Sequence, residues 1–353
     1  MCIRLSGLGD VVHALPALSL LRQERPCAHI TWLVEDRFAD LLEGHPHVDE
    51  VITMPRKAWG KWLHNPLCWP KLCSRTLALG RRLRGRKFDV SLDFQSSIKS
   101  AWLVACAGAR VRIGFGRPVS REMNWIVQNR RVSPGASACH RVDQALALLG
   151  PLGISPRFVP AVLPRNAEHE GVARDACAGL LRPLVLMHPG TSRFGVFKRW
   201  PAERYAELGE HLARELGAGV MVTWGQGERD LAQRVVSGMA RRGVLAPELK
   251  DLRGLIALLR QADLFVGSDT GPLHISAAFG VPVVALYGPK DAGMTGPRGG
   301  RSAVVTAPVD CRPCTRRCCD DPICMAQISV DAVFREACHL LDGGGKAGRS
   351  RIS

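Results

Sequence analysis

Short apolar runs separated by longer amphipathic stretches recur along most of this chain. In the first half, Cys2 to Leu5 reads as a strand and Val11 to Arg22 as a helix. His29 to Val34 and Phe38 to Glu43 repeat the pair, Val48 to Thr53 adds a strand, and Phe88 to Leu92 with Ile98 to Ala107 repeats it again. A stretch rich in proline, Pro151 to Pro164, interrupts the rhythm. It then restarts with Leu184 to Met187, Ala202 to Glu215, Gly219 to Thr223, Arg229 to Arg241, Leu252 to Gln261, Asp263 to Gly267, Pro272 to Phe279 and Val283 to Leu286. Strand-like runs alternating with periodic helical segments predict parallel sheets with crossover helices. The pattern predicts an α/β chain of two doubly wound domains, residues 1–160 and 161–341, with a glycine-rich, basic, disordered tail over residues 342–353. Ligands of open α/β sheets bind at the carboxyl ends of the strands, so the functional loops of both domains are expected to face a cleft.

Three turns in the second half carry the strongest chemical signal. Ser268-Asp269-Thr270-Gly271-Pro272-Leu273-His274 sits where a buried strand becomes a helix. Such a turn directs free amide groups and the positive helix end at whatever lies above the sheet, a natural cradle for phosphate. His188-Pro189-Gly190-Thr191-Ser192 ends another strand, followed by Lys198-Arg199-Trp200-Pro201. The hydroxyls and amides of Thr191 and Ser192 suit phosphate oxygens, and Lys198 suits charge growing on a diphosphate leaving group. An ordinary turn with a solvated lysine is the plain alternative. Trp224-Gly225-Gln226-Gly227-Glu228 ends a third strand, and an acid placed like Glu228 commonly takes ribose hydroxyls.

In the first half, Ser6-Gly7-Leu8-Gly9-Asp10 runs into a helix. The third glycine of a dinucleotide fingerprint is missing, and a carboxylate at the helix start would repel a diphosphate. Asp10 either caps the helix or acts as general base toward a hydroxyl nucleophile. No Asp-x-Asp pair occurs in the chain, so paired carboxylates clamping a metal-bound diphosphate have no obvious source; Asp320-Asp321 is the nearest substitute. His13, His140 and His188 stand isolated in sequence.

Charge changes the picture of the partners. The 48 Lys and Arg residues against 32 Asp and Glu leave a net +16, which favours an anionic partner. Between Arg56 and Lys87 there are ten basic residues and no acid, interleaved with Trp59, Trp62 and Trp69. Nucleic acid, a membrane surface, and an acidic sugar or phosphate group all fit that stretch, and an anionic acceptor at an interface fits best. There is no run of about 18 apolar residues, and Met1 leads directly into a strand, so the chain reads as a soluble cytosolic protein. Thirteen cysteines, an odd number scattered through a long α/β chain, read as reduced thiols. The cluster Cys311, Cys314, Cys318, Cys319 and Cys324 has enough thiols for a structural zinc site, with packing cysteines or a redox-labile cluster as alternatives.

Taken together, Gly7-Leu8-Gly9-Asp10 with Pro16-Ala17-Leu18, His188-Pro189-Gly190, Lys198-Arg199-Trp200-Pro201, the Ser268 to His274 turn, Leu286-Tyr287-Gly288-Pro289 and the closing cysteines with Cys324-Met325 resemble glycosyltransferase family 9, the ADP-heptose:lipopolysaccharide heptosyltransferases. The resemblance runs in matching order from about Met1 to Leu341. Arg56-Lys57-Ala58-Trp59, Phe88 to Ser100 and Arg121-Glu122 are most similar to the heptosyltransferase I branch. It implies a GT-B fold of two Rossmann-like domains, with acceptor on the first and ADP-heptose on the second, and inverting transfer that needs no metal cofactor. It implies Asp10 as the base and Lys198 with Thr191 and Ser192 at the diphosphate and sugar. Glu228 would lie at the ribose, and Asp269, Thr270, Gly271 and His274 around the diphosphate and heptose. Arg56, Lys57 and Arg121 would meet the anionic groups of the lipopolysaccharide inner core. The zinc reading would place Cys311, Cys314, Cys318 and Cys324 around a structural ion. The expected setting is the cytoplasmic face of the inner membrane, in peripheral contact and with no nucleic acid bound.

Two other readings compete. A basic nucleic-acid-binding protein with a zinc module would use the charge and the cysteines, though these lie at opposite ends of the chain. A nicotinamide-dependent oxidoreductase is disfavoured because neither half carries a complete Gly-x-Gly-x-x-Gly after a strand.

Overall fold

A computed structural model describes residues 1–117, 119–120, 122–135, 138–240, 243–314 and 319–343. The chain divides into two compact units, Met1–Pro164 and Arg165–Ser353. The expected tail falls almost wholly outside the described residues.

Each unit is built on a parallel sheet. The first contains β1 (Cys2–Ile3), β2 (Thr31–Glu35), β3 (Glu50–Met54), β4 (Val90–Asp93), β5 (Val111–Phe115) and β6 (Arg130–Val132), in the order β3-β2-β1-β4-β5-β6. The second contains β7 (Leu184–His188), β8 (Gly219–Val222), β9 (Gly243–Leu245), β10 (Leu264–Ser268), β11 (Val283–Leu286) and β12 (Ser302–Val305), in the order β12-β11-β10-β7-β8-β9. Both orders are the doubly wound arrangement, with the first strand of the unit beside the fourth. The direction of winding reverses between β1 and β4 and between β7 and β10. Loops leaving those strand ends are therefore where each unit can present a ligand site.

Burial explains which elements were readable. Every residue of β2, β7, β8, β10 and β11 is buried, as central parallel strands covered by helices require. The unanticipated strands β5, β6, β9 and β12 are less apolar. β6 is Arg130-Arg131-Val132 with both arginines exposed, because a sheet edge buries little side-chain surface. β5 is interrupted by Arg112 and by Gly114, whose open face receives the Gln128 side chain.

The helix Leu8–Glu24 is buried from Val11 to Leu21 despite Pro16 within it. The helix Ala202–Leu216 buries Tyr205, Leu208 and Leu212 on one side, and burial of each leucine stabilises that unit by about 2 kcal/mol. Trp200 anchors the start of this helix: it is fully buried, its Nε1 donates to the Ile328 carbonyl at 3.0 Å, and its ring packs edge-on against Tyr205 at 4.9 Å. That anchorage sets where the preceding Lys198 and Arg199 can reach.

Candidate active site

The second unit assembles its site from four strand ends. Asp269 follows β10, and one of its carboxylate oxygens accepts from Lys198 Nζ at 2.6 Å. The other lies 3.1 Å from His274 Nε2 and accepts from the Tyr287 hydroxyl at 3.2 Å. Burial pushes the Asp269 carboxyl upward, but the bond and charge of His274 and the Lys198 ammonium outweigh it, holding the group well below the usual carboxylate range. Tyr287, from the strand-end segment after β11, also donates to the Thr295 carbonyl at 2.6 Å, and burial beside Asp269 pushes its phenol far up. The helix Gly271–Ala278 begins here with Thr270 at its N-cap. Thr270 makes no side-chain cap bond, and its hydroxyl oxygen is buried with no hydrogen-bond partner among the described residues. A partly buried ammonium, a helix start and an unused hydroxyl together suit an anionic group.

Beside this cluster, the turns after β7 and β8 interlock. Arg199 donates from Nε to the Thr191 hydroxyl at 3.0 Å and from a terminal nitrogen to the Thr191 carbonyl at 3.1 Å, and the same guanidinium lies 3.6 Å from Glu228. Glu228 accepts from the Gly225 amide at 3.0 Å. Burial raises its carboxyl above the ordinary value, opposed by the Gly225 amide, the Arg199 charge and the Thr191 amide. A Cβ at Gly190 would overlap the Glu228 carboxylate, so any side chain there would push Glu228 out of this arrangement. His188 is buried, with Nδ1 3.0 Å from the Thr223 hydroxyl. That hydroxyl donates to the Met187 carbonyl at 3.2 Å, so Nδ1 carries the ring proton and donates to it. Burial lowers the His188 pKa to about 4. Ser192 is exposed, and Arg193–Lys198 forms a 3-10 turn with Phe197 inward and Phe194 outward.

In the first unit, Asp10 lies in the first turn of its helix, but the N-cap is Gly7 and there is no side-chain cap bond. The capping alternative is thereby corrected: the helix starts earlier than the apolar pattern suggested, and the Asp10 carboxylate is 2.5 Å from an Arg4 nitrogen instead. Gly7 has φ 84°, and a Cβ on it would overlap Asp10. Arg4 is held by the Phe94 carbonyl at 2.6 Å. Gln95 braces the same loop from the end of β4, accepting from the Leu5 and Ser6 amides at 3.0 and 3.2 Å. A small cavity is lined by Arg4, Asp10, His13, Phe94, Arg141 and Gln144, among others. His13 and His140 are not isolated: their rings pack edge-on at 5.4 Å. Arg56 opens the helix Arg56–Leu63 and reaches the buried Glu35 at 3.4 Å, while Lys57 is exposed beside it. Arg121 lies outside the described residues.

The structure brings Lys198, Asp269, Thr270, Gly271 and His274 together around one strand end, and Thr191 with Glu228 around the next. No role followed from sequence for Arg4, Gln95, Arg199 or Tyr287, although Arg199 and Tyr287 stand within motifs that carry the family resemblance. Tyr287 could have been suspected, since it is one of only two tyrosines in the chain and follows a buried strand. The zinc expectation is not supported. Among the described residues no group of His, Cys, Asp or Glu is placed to hold a metal ion, and Cys318 lies outside them. Cys324 is buried in the second unit's core beside Met325, and Cys319 is engaged with the Asp321 carbonyl at 3.2 Å.

The family model for glycosyltransferase family 9 (heptosyltransferase) matches residues 76–323. The chain belongs to glycosyltransferase family 9. This family 9 chain is 32% identical over 324 residues to lipopolysaccharide heptosyltransferase 1 of Pseudomonas aeruginosa, covering 90% of this chain and 86% of that one. It superposes on a family 9 glycosyl transferase of Veillonella parvula with a TM-score of 0.80 at 23% identity, over 97% and 96% of the two chains. It superposes on E. coli heptosyltransferase WaaC with ADP-2-deoxy-2-fluoro heptose with a TM-score of 0.73 at 26% identity, over 96% and 98%. The α/β two-domain GT-B fold expected from the family 9 resemblance is the fold observed, and the protein is a glycosyltransferase. Neither the nucleic-acid-binding reading nor the oxidoreductase reading gains support.

Proposed function

We propose that this glycosyltransferase moves heptose from ADP-heptose to the Kdo/heptose region of the lipopolysaccharide inner core, with inversion, at the cytoplasmic face of the inner membrane. The observation that carries the reading is the Lys198–Asp269–His274 cluster beside the buried Thr270 hydroxyl, in a family 9 chain. In this reading Lys198, the start of the helix Gly271–Ala278 and Thr270 receive the diphosphate, and Glu228 takes the ribose hydroxyls. Thr191 and Ser192 border the phosphates and sugar, with Thr191 set in place by Arg199. Asp10, oriented by Arg4, removes the proton of the acceptor hydroxyl. That oxygen attacks the anomeric carbon while the bond to the diphosphate breaks, and ADP departs with the electron pair toward the Lys198 ammonium. Arg56, Lys57 and Arg121 meet carboxylates or phosphates of the acceptor.

The E. coli complex with an ADP-heptose analogue supports the donor, and the heptosyltransferase 1 similarity supports the acceptor class. The test is to incubate the purified chain with ADP-heptose, with and without a Kdo-terminated acceptor. ADP release that requires the acceptor, with a product heavier by one heptose, is expected. Preference for a UDP- or GDP-sugar, or no product from any core acceptor, would overturn the reading.

A further inference from the structure

The basic stretch of the first unit ends in an apolar tip that the proposed chemistry does not use. Two helices, Arg56–Leu63 and Trp69–Gly85, are joined by a short connection. Leu63 is 61% exposed, Leu67 90%, Trp69 52% and Leu77 58%. This exposure is not fraying. Trp69 Nε1 donates to the Leu63 carbonyl at 3.1 Å, the Asn65 side chain accepts from the Leu67 amide at 3.1 Å, and Lys71 Nζ sits 4.8 Å above the Trp62 ring. The opposite side of the hairpin is anchored: Leu83 is fully buried, Trp59 and Leu79 pack against the first unit's core, and Arg82 and Arg86 pair with Glu50. A braced connection thus presents large apolar side chains to solvent, which costs free energy unless something covers them.

We propose that this hairpin docks on an anionic lipid bilayer, with Leu63, Leu67 and Trp69 entering the headgroup region and Lys61, Lys71 and Arg75 meeting lipid phosphates. Charge complementarity selects this occupant. The segment from Arg56 to Lys87 contains no acid, so a second copy placed symmetrically on the patch would oppose cation with cation. Nucleic acid would engage the cations but has no use for exposed leucines, and the Trp62 ring is already covered by Lys71. Exposed apolar side chains on a hairpin that also carries exposed Lys61, Lys71 and Arg75 match the bilayer interface, where both are satisfied together. The inference deepens the proposed function by naming the surface that meets the membrane bearing the acceptor, and it rests on that reading for the membrane's identity only.

The test is co-sedimentation of the full chain with vesicles of phosphatidylcholine containing phosphatidylglycerol, and with phosphatidylcholine alone. Binding to the anionic vesicles only, weakening with added salt, is expected. The double substitution Leu63→Asp and Leu67→Asp should lower that binding by about tenfold or more. ADP binding, followed by thermal shift, and heptose transfer to a water-soluble truncated acceptor should be unchanged. The pair Lys71→Glu and Arg75→Glu provides a second variant and should show the same loss. Binding that survives both pairs, or that needs no anionic lipid, overturns the proposal. So does self-association or RNA binding that the leucine variant alone abolishes. Loss of soluble transfer by the unsubstituted chain would count against the transferase reading and leave vesicle binding to be judged separately.

Discussion

Lys198 and Asp269 meet at 2.6 Å although they are 71 positions apart, because the segments that follow the neighbouring strands β7 and β10 carry them. Both are largely withdrawn from water, so Asp269 serves Lys198 as counter-charge, and Lys198 shares with His274 the task of holding Asp269 ionised. A substitution at Lys198 therefore has two separable effects. It removes the cation offered to a leaving diphosphate and takes one charged partner from a buried carboxylate that keeps His274 and Tyr287.

Lys198→Ala is expected to lower kcat by about a hundredfold to a thousandfold and to destabilise the second unit by about 3 kcal/mol. Acceptor-dependent ADP release and denaturant melts measure the two effects. Adding Asp269→Ala should recover part of the stability and none of the activity. Wild-type turnover in the single variant would remove Lys198 from the reaction.

Asp10→Asn keeps the shape of the side chain and removes its basicity. Turnover is expected to fall by about a hundredfold or more. ADP affinity by calorimetry should be unchanged, because the donor loops belong to the other unit. A change in ADP affinity with turnover intact would mean that Asp10 serves binding instead.

Glu228→Gln should weaken ADP-sugar binding about tenfold, seen as a higher KM at near-constant kcat. A donor lacking the ribose hydroxyls should be insensitive to the same substitution, so the two changes should not add. Additive losses would dissociate Glu228 from the ribose.

Acid should destabilise the fold through two neutral histidines. Burial lowers His45 and His188 from their ordinary value of 6.5 to about 4. His45 Nε2 donates to the Val162 carbonyl at 2.7 Å while Nδ1 accepts from the His47 amide at 3.0 Å, leaving no place for a second ring proton. The unfolded chain therefore binds more protons between pH 6.5 and about 4. Stability is complete above that window and is lost as pH falls through it, by up to about 3 kcal/mol for each histidine. Melting temperatures across that range should drop for the wild type and drop less for His45→Gln. Parallel curves would refute the assignment.

Much of this was legible in sequence. Runs such as Leu184 to Met187 and Val283 to Leu286 are apolar throughout because central strands are covered on both faces, and the turns after them carry the polar residues of the site. What escaped notice has a common physical origin. Edge strands such as β6 bury too little to need an apolar pattern. Bracing residues such as Arg4, Gln95 and Arg199 act through partners that strand pairing alone brings near. Cysteine spacing records which thiols exist, whereas burial of Cys324 in the core is a property of packing.

Local order along the chain determined the two doubly wound units, the strand-end turns that hold Asp10, Glu228 and Asp269, and the run of cations from Arg56 to Lys87, since periodicity and turn chemistry act between near neighbours. Tertiary structure alone decided that Lys198 is a partly buried partner of Asp269 and not a solvated lysine. It likewise decided that Asp10 turns to Arg4 and not to its own helix, and that Leu67 faces solvent while Leu83 faces the core. Charge pairing and burial depend on which distant segments share a neighbourhood, and that is set by the order of strands in the sheet.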